Sequence, residues 1–248
     1  QMELYVAYKD YYWMMDFVED FFQYIVSEAL GSTRIESGGY TVNFQKPWQR
    51  YTMYEAIEAY TGYDLSDKHA EAIRTIAETL HIRTDERMDR GKLIDEIFGE
   101  CVEPKLIDPT FIMDYPLEMS PLAKKHRSKA GLVERFEVIC MGKEIMNAFS
   151  ELNDPIDQRQ RFEEQLKLGE RGDEEAMVLD EDFLRALEIG MPPTAGLGIG
   201  IDRLTMILTD QPSIQEVLFF PQMRPENAGQ HTANQEDEDA EASSDSQA

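Results

Sequence analysis

The stretch Ala195-Gly196-Leu197-Gly198-Ile199-Gly200-Ile201-Asp202-Arg203-Leu204-Thr205-Met206 decides the reading of this chain. Glycine at every second position strips side chains from one face of a strand, at a cost of roughly 0.5–1 kcal/mol per glycine. Either something flat needs that face, or a helix packs closely over it. Asp202 and Arg203 stand where the strand should turn into a helix, with Leu204, Met206 and Leu208 suited to its buried side. A cation at a helix start opposes the macrodipole but is well placed to meet a phosphate. The dinucleotide-binding fingerprint is excluded, because its third glycine position holds Ile201 and no βαβ unit follows.

Upstream, 135–140 and 144–151 read as two strands of a hairpin turning at Met141-Gly142-Lys143. By period two, Asn147, Phe149 and Glu151 share a face. An amide, an aromatic ring and a carboxylate in a row suit a cationic amino acid, although a solvated strand with one chance aromatic has the same pattern. Glu137 and Glu144 bracket the hairpin. They could hold Mg²⁺, which takes a few carboxylates and completes its shell with phosphate and water, or they could be two solvated acids. Strict alternation puts Glu144 on the face opposite Asn147, so a shared site requires a bulge or twist.

The opening residues alternate, with Met2, Leu4, Val6 and Tyr8 on one side and Glu3, Tyr5 and Ala7 on the other. Met14, Phe17, Phe21 and Ile25 follow at helical spacing, with Gly31 as a stop. Ala70, Ile73, Ile76 and Leu80, then Leu93, Ile94, Ile97 and Phe98, predict two or three helices. Asn153 or Asp154 caps a polar helix from Pro155 toward Leu168, and Glu181 to Ile189 forms another, stopped by Gly190. Antiparallel strands interleaved with helices, without βαβ repetition, predict an α+β fold.

The 248 residues are 42% hydrophobic and 29% charged, with 49 acidic against 24 basic side chains and a net charge of −25. That balance disfavours broad adhesion to nucleic acid. The main basic cluster, Lys124-Lys125-His126-Arg127-Ser128-Lys129, could meet phosphates or be a mobile solvated loop. There is no apolar run of membrane-spanning length and no secretory pattern at the start, so the protein is expected to be cytoplasmic and without membrane contact. Cys101 and Cys140 lack metal or disulfide spacing and read as buried thiols. His69, His81, His126 and His231 show no ligand spacing and are expected on the surface or in the tail. Residues 225–248 carry seven carboxylates and no Lys or Arg, and removing them leaves a net charge of −18. This tail is expected to be disordered. The strand-like run that begins directly after Gln1 reads as the back part of something longer.

Four separated segments, agreeing in order, carry a resemblance to a known family over about residues 1–224. The glycine strand with Arg203 resembles motif 3 of the class II aminoacyl-tRNA synthetases. Met2 to Tyr8 resembles the second strand of their motif 2. Glu144 to Asp154 and Tyr115 to Lys124 are closer to the lysyl-tRNA synthetases than to the aspartyl and asparaginyl ones. The resemblance implies an antiparallel sheet flanked by helices: a catalytic domain over 1–64 and 104–224, with 65–103 a small helical insertion. It also implies ATP, Mg²⁺, L-lysine and tRNA(Lys) as ligands, and a homodimer in the full-length protein.

Carried over residue by residue, Glu3 would lie near the substrate α-amino group, and Tyr5 with Glu151 would bind the ε-ammonium. Asn147 would hold the α-carboxylate and Phe149 would line the pocket. Glu137 and Glu144 would bind Mg²⁺. Gly196, Gly198 and Gly200 would lie against adenine, with Arg203 on the ATP γ-phosphate. Motif 1, the first motif 2 strand with its ATP-binding arginine, and the anticodon-reading OB-fold have no counterpart in these residues. The 248 residues alone are therefore expected neither to activate lysine efficiently nor to bind tRNA well. Two rival readings keep the fold: a ligase that attaches an activated amino acid to a protein, and a non-catalytic acidic interaction module.

Overall fold

The computed structural model describes residues 1–170 and 176–222. The expected disordered tail lies outside the described residues. In chain order the strands are β1 (Met2–Ala7), β2 (Arg34–Ser37), β3 (Tyr40–Asn43), β4 (Gln49–Thr52), β5 (Thr110–Met113), β6 (Arg135–Cys140), β7 (Lys143–Ser150) and β8 (Thr194–Ile199). The helices are α1 (Tyr11–Leu30), α2 (Met53–Thr61), α3 (Ala70–Thr79), α4 (Arg90–Cys101), α5 (Pro155–Glu170), α6 (Glu181–Ile189) and α7 (Ile201–Leu208). Six strands form one sheet in the order β1-β8-β7-β6-β5-β4. Every neighbour is antiparallel except the parallel pair β4 and β5. Strands β2 and β3 make a separate hairpin. The expected α+β architecture is therefore present.

One face of the sheet is covered by α1 and α7. Leu197 and Ile199 of β8, Met146 and Ala148 of β7, and Phe136 and Val138 of β6 pack there against Met14, Val18 and Phe22 of α1 and Leu204 of α7. Helix α1 starts at Asp10, whose carboxylate accepts from the Trp13 N–H at 3.1 Å, and ends at Gly31, left-handed at φ 73°. The stripe read from the sequence is turned slightly from the buried one. Met14 is fully buried together with Met15, Val18, Phe22 and Val26, whereas Phe17, Phe21 and Ile25 are only partly buried. The rings of Trp13, Phe17 and Phe21 stack along the helix at 5.4 and 5.5 Å, which holds aromatic side chains in a row at its flank.

The opposite face is divided. At the β5 and β6 end, Ile112 and Ile139 join Met53 and Ile57 of α2, Ile73 of α3, and Leu93 and Ile97 of α4 in a second core. Helix α2 is launched by a reciprocal capping box, with the Thr52 hydroxyl accepting from the Glu55 N–H and the Glu55 carboxylate from the Thr52 N–H. At the β1, β8 and β7 end the face is open to ligands.

The hairpin of β6 and β7 turns through Met141 and Gly142, both at positive φ, and carries the irregularity its sequence demanded. Val138 pairs with Met146 but Ile139 pairs with Glu144, so Ile145 is the extra residue of a bulge. Both Ile145 and Met146 enter the main core. Glu144 thereby returns to the side of the sheet that carries Asn147.

The basic cluster is neither a free loop nor a free patch. Lys124 donates to Asn153 Oδ1 at 2.9 Å, Lys125 pairs with Asp157, Arg127 with Glu134 and Asp10, and Lys129 with Asp114. His126 is buried, contrary to the surface position expected from its polar neighbours. Its Nδ1 accepts from the Ser128 and Lys129 N–H groups, which fixes the proton on Nε2. Nε2 lies 3.2 Å from the Tyr11 hydroxyl, and that hydroxyl donates to the buried Asp114. Cys140 is buried as expected, but Cys101 is only half-buried. Among the described residues no helix is long and apolar enough to cross a membrane.

Candidate functional site

Register fixes the open face as a grid. Glu3 of β1 pairs with Gly198 of β8, Gly198 with Asn147 of β7, and Asn147 with Glu137 of β6. One step along, Tyr5 pairs with Gly196, Gly196 with Phe149, and Phe149 with Arg135. Directly paired residues in neighbouring strands point to the same face, so two rows of functional groups run across the sheet with glycine between them.

Those glycines are sterically required to different degrees. A methyl group on Gly196 would stand 1.8 Å from Glu151 Oε1 and 3.0 Å from Tyr5 Cε1. The Glu151 carboxylate therefore occupies the space that the missing side chain leaves. At Gly198 the nearest atom is the flexible Gln1 amide at 2.9 Å, and at Gly200 it is Arg203 Cδ at 3.6 Å, an ordinary contact. A cavity of about 140 Å³ lies over the strand, lined by Glu3, Tyr5, Asn147, Phe149, Glu151 and both Gly196 and Gly198. The structure thus gathers the residues expected for the amino acid around two of the three glycines expected for adenine, while Gly200 stands apart beside Arg203.

Glu151 is partly buried, and among the described residues no cation pairs with it. Burial pushes its carboxyl up to about 8. The Tyr5 hydroxyl donates to Glu3 Oε2 at 3.3 Å, and the side chain is 60% exposed. Partial burial raises its hydroxyl, and the negative charges of Glu3 and Glu151 add to the effect. An acidic pocket with no paired cation among the described residues is suited to receive one.

The second group lies toward α4, along a cavity of about 460 Å³ lined among others by Glu103, Tyr115, Arg135, Glu137 and Glu144. Glu137 accepts from Arg135 Nη2 at 2.5 Å and from the Tyr115 hydroxyl at 2.8 Å. Burial raises its carboxyl, Arg135 opposes that rise, and Glu144 adds to it. Burial also raises Glu103, while a hydrogen bond from the Glu144 backbone opposes that rise and the Glu144 charge adds to it. Arg203, half-exposed at the start of α7, donates to the Glu144 carbonyl at 2.5 Å and to Glu144 Oε2 at 3.3 Å. Among the described residues no group of three or more His, Cys, Asp or Glu side chains forms a ready-made metal cage. A pair of carboxylates on one face, Glu137 and Glu144, nevertheless fits the donor set of Mg²⁺ with phosphate and water completing its shell.

Arg135 and Tyr115 occupy central positions here, yet their sequence context assigns them no role. The available signal was that Arg135 and Glu137 are two apart on a strand whose partner carries Phe149 and Asn147.

A family model described as tRNA synthetases class II (D, K and N) matches residues 1–224. The chain is 59% identical over 225 residues to a lysine–tRNA ligase of Porphyromonas gingivalis, covering 91% of this chain and 39% of that protein. It is 56% identical over 237 residues to the lysine–tRNA ligase of Christiangramia forsetii, covering 96% and 42%. With the lysine–tRNA ligase of Azobacteroides pseudotrichonymphae the identity is 59% over 225 residues, covering 91% and 45%. The chain spans about two-fifths of the length of these curated relatives.

Proposed function

We infer the function from one premise: this chain belongs to the class II tRNA synthetases (D, K and N), and its pocket suits lysine among their amino acids. The observation that carries this is Glu151, a partly buried carboxylate held over Gly196 with no cation paired to it among the described residues. A buried ammonium must be paired, whereas an aspartate side chain would bring a second negative charge to Glu151 and an asparagine amide would bring no positive charge to pair with it.

On this reading Glu151 and Tyr5 hold the ε-ammonium, Glu3 faces the α-amino group, Phe149 lines the stem and Asn147 holds the α-carboxylate. Because lysine takes the space over Gly196 and Gly198, the ledge for adenine falls to Gly200, the third glycine expected there, beside Arg203. Arg203 holds ATP phosphate, and Glu137 with Glu144 would hold Mg²⁺, which when bound neutralises phosphate charge. A lysine carboxylate oxygen attacks the α-phosphorus of ATP, the bond to pyrophosphate breaks, and lysyl-adenylate forms. The 3′-terminal hydroxyl of tRNA(Lys) then attacks the lysyl carbonyl and AMP departs. Positioning and charge neutralisation do this work, without a covalent protein nucleophile. The same reading takes 1–64 and 104–224 as the catalytic domain with 65–103 inserted, and the parent enzyme as a cytoplasmic homodimer that supplies the rest of the site.

The test is lysine-dependent exchange of labelled pyrophosphate into ATP by a polypeptide of the relatives' full length that contains this chain. Glu151→Gln should lower kcat/KM for lysine by roughly a hundredfold, as expected when a charge-assisted contact is lost and its ammonium partner is left unpaired. Exchange driven equally well by aspartate, or unchanged in Glu151→Gln, would contradict the reading. The 248-residue chain alone should show little exchange.

A further inference from the structure

Arg135 opens β6, and its guanidinium is enclosed by acceptors. Nε donates to Asn147 Oδ1 at 3.2 Å, Nη1 to the Met119 carbonyl at 2.9 Å and the Ser120 hydroxyl at 2.8 Å, and Nη2 to Glu137. Its Cζ lies 4.4 Å from the centre of the Tyr115 ring, and the Tyr115 hydroxyl secures the other oxygen of Glu137. Four hydrogen bonds and a ring leave this fork little freedom.

A guanidinium donates and never accepts. The Asn147 atom that meets it must therefore be the oxygen, so the amide nitrogen is turned the other way. Among the described residues that nitrogen has no hydrogen-bond acceptor, and Asn147 lines the cavity that also holds Glu3, Phe149 and Glu151. A free amide could present either end to a ligand. With the oxygen engaged by Arg135, the N–H₂ is the end left for a ligand, and it is the end a carboxylate requires; the flipped amide would set N–H against N–H at Arg135 and oxygen against oxygen at the ligand.

We propose that Arg135 is a positioning residue for amino-acid recognition: by holding Asn147 Oδ1 it fixes the amide with its donors toward the substrate α-carboxylate. It touches neither end of the substrate itself. The proposal rests on the lysine reading above, because it needs an α-carboxylate at Asn147.

The test compares L-lysine with cadaverine, the same diamine chain without the α-carboxylate, by calorimetry on the full chain and on its Arg135→Gln and Arg135→Lys variants. The unaltered protein should bind L-lysine more tightly than cadaverine. Arg135→Gln should weaken L-lysine by roughly tenfold, the scale of one hydrogen bond to a charged group, and leave cadaverine within about twofold. Arg135→Lys keeps the charge but offers a single ammonium, which goes to Glu137 and releases the amide, so the loss should again fall on L-lysine. The side-chain amide resonance of Asn147 in the unaltered protein supplies a readout that no variant can spoil, and it should move with L-lysine and not with cadaverine.

Equal weakening of both ligands, as a merely structural role would give, or an unmoved Asn147 resonance on lysine binding, overturns the proposal. If the unaltered protein fails to prefer L-lysine over cadaverine, the lysine reading falls and takes the proposal with it. If it does prefer L-lysine and both variants keep that preference, only the role of Arg135 falls.

Discussion

Lysine should bind more tightly as pH rises toward 8, because the carboxylate that receives its ammonium is protonated in the empty pocket. Burial lifts Glu151 from an ordinary value of 4.5 to about 8, while the lysine ε-ammonium keeps its proton until roughly pH 10. At about pH 6 only around one Glu151 in a hundred is ionised, so affinity should climb close to tenfold per pH unit and level off above about 8. Solvent at the mouth of the cavity screens part of the effect, so the gain realised between about pH 6 and 8 should be at least tenfold. Near neutral pH nearly one proton should leave for each lysine bound.

The same shift has the opposite sign for the empty protein. Between 4.5 and about 8 the folded chain holds a proton on Glu151 that the unfolded chain has lost, so unliganded stability falls as pH rises through that window. Calorimetry in two buffers of different ionisation heat reads the proton count directly, and Glu151→Gln should abolish both the release and the pH slope. Affinity that is independent of pH, with no proton exchanged, would refute the reasoning.

Two further perturbations separate the pocket from the scaffold. Gly196→Ala puts a methyl group where Glu151 Oε1 now lies, 1.8 Å away, so Glu151 must swing out; lysine affinity should fall by roughly tenfold or more, measured by calorimetry, and an unchanged affinity would show that the glycine gap is not needed. Tyr11→Phe removes the hydroxyl that joins buried Asp114 and His126; it should cost about 1–3 kcal/mol in urea unfolding, and a change within about 0.5 kcal/mol would show that these groups find other partners.

Much of the site was legible because period two is a strong constraint. Glycine at 196, 198 and 200 and functional groups at 147, 149 and 151 can each occupy only one face of a strand. The bulge at Ile145 was legible only as a necessity: alternation set Glu144 against Asn147, and nothing local showed where the extra residue would fall. Arg135 carried only a weak signal, its place two residues before Glu137, because its role depends on Met119, Ser120 and Tyr115, brought in by a loop that pattern reading does not place. His126 and its basic neighbours read as a free patch because their carboxylate partners Asp10, Asp114, Glu134 and Asp157 are distant in sequence or carry no signal of pairing. The four-residue strands β2 to β5 are too short for alternation to stand out, and β4 depends on a parallel partner 61 residues away. The slightly turned stripe of α1 has a related cause: its aromatic flank is as apolar as its buried face, so composition alone cannot say which side meets the sheet.

The central claim, that one acidic strand face reads lysine from end to end, is tested most directly by a crystal structure of this chain with L-lysine bound. The ε-ammonium should lie within hydrogen-bonding distance of Glu151 and the Tyr5 hydroxyl, with the α-carboxylate on the Asn147 amide. Lysine bound in the reverse sense, or outside the cavity over Gly196 and Gly198, would contradict it.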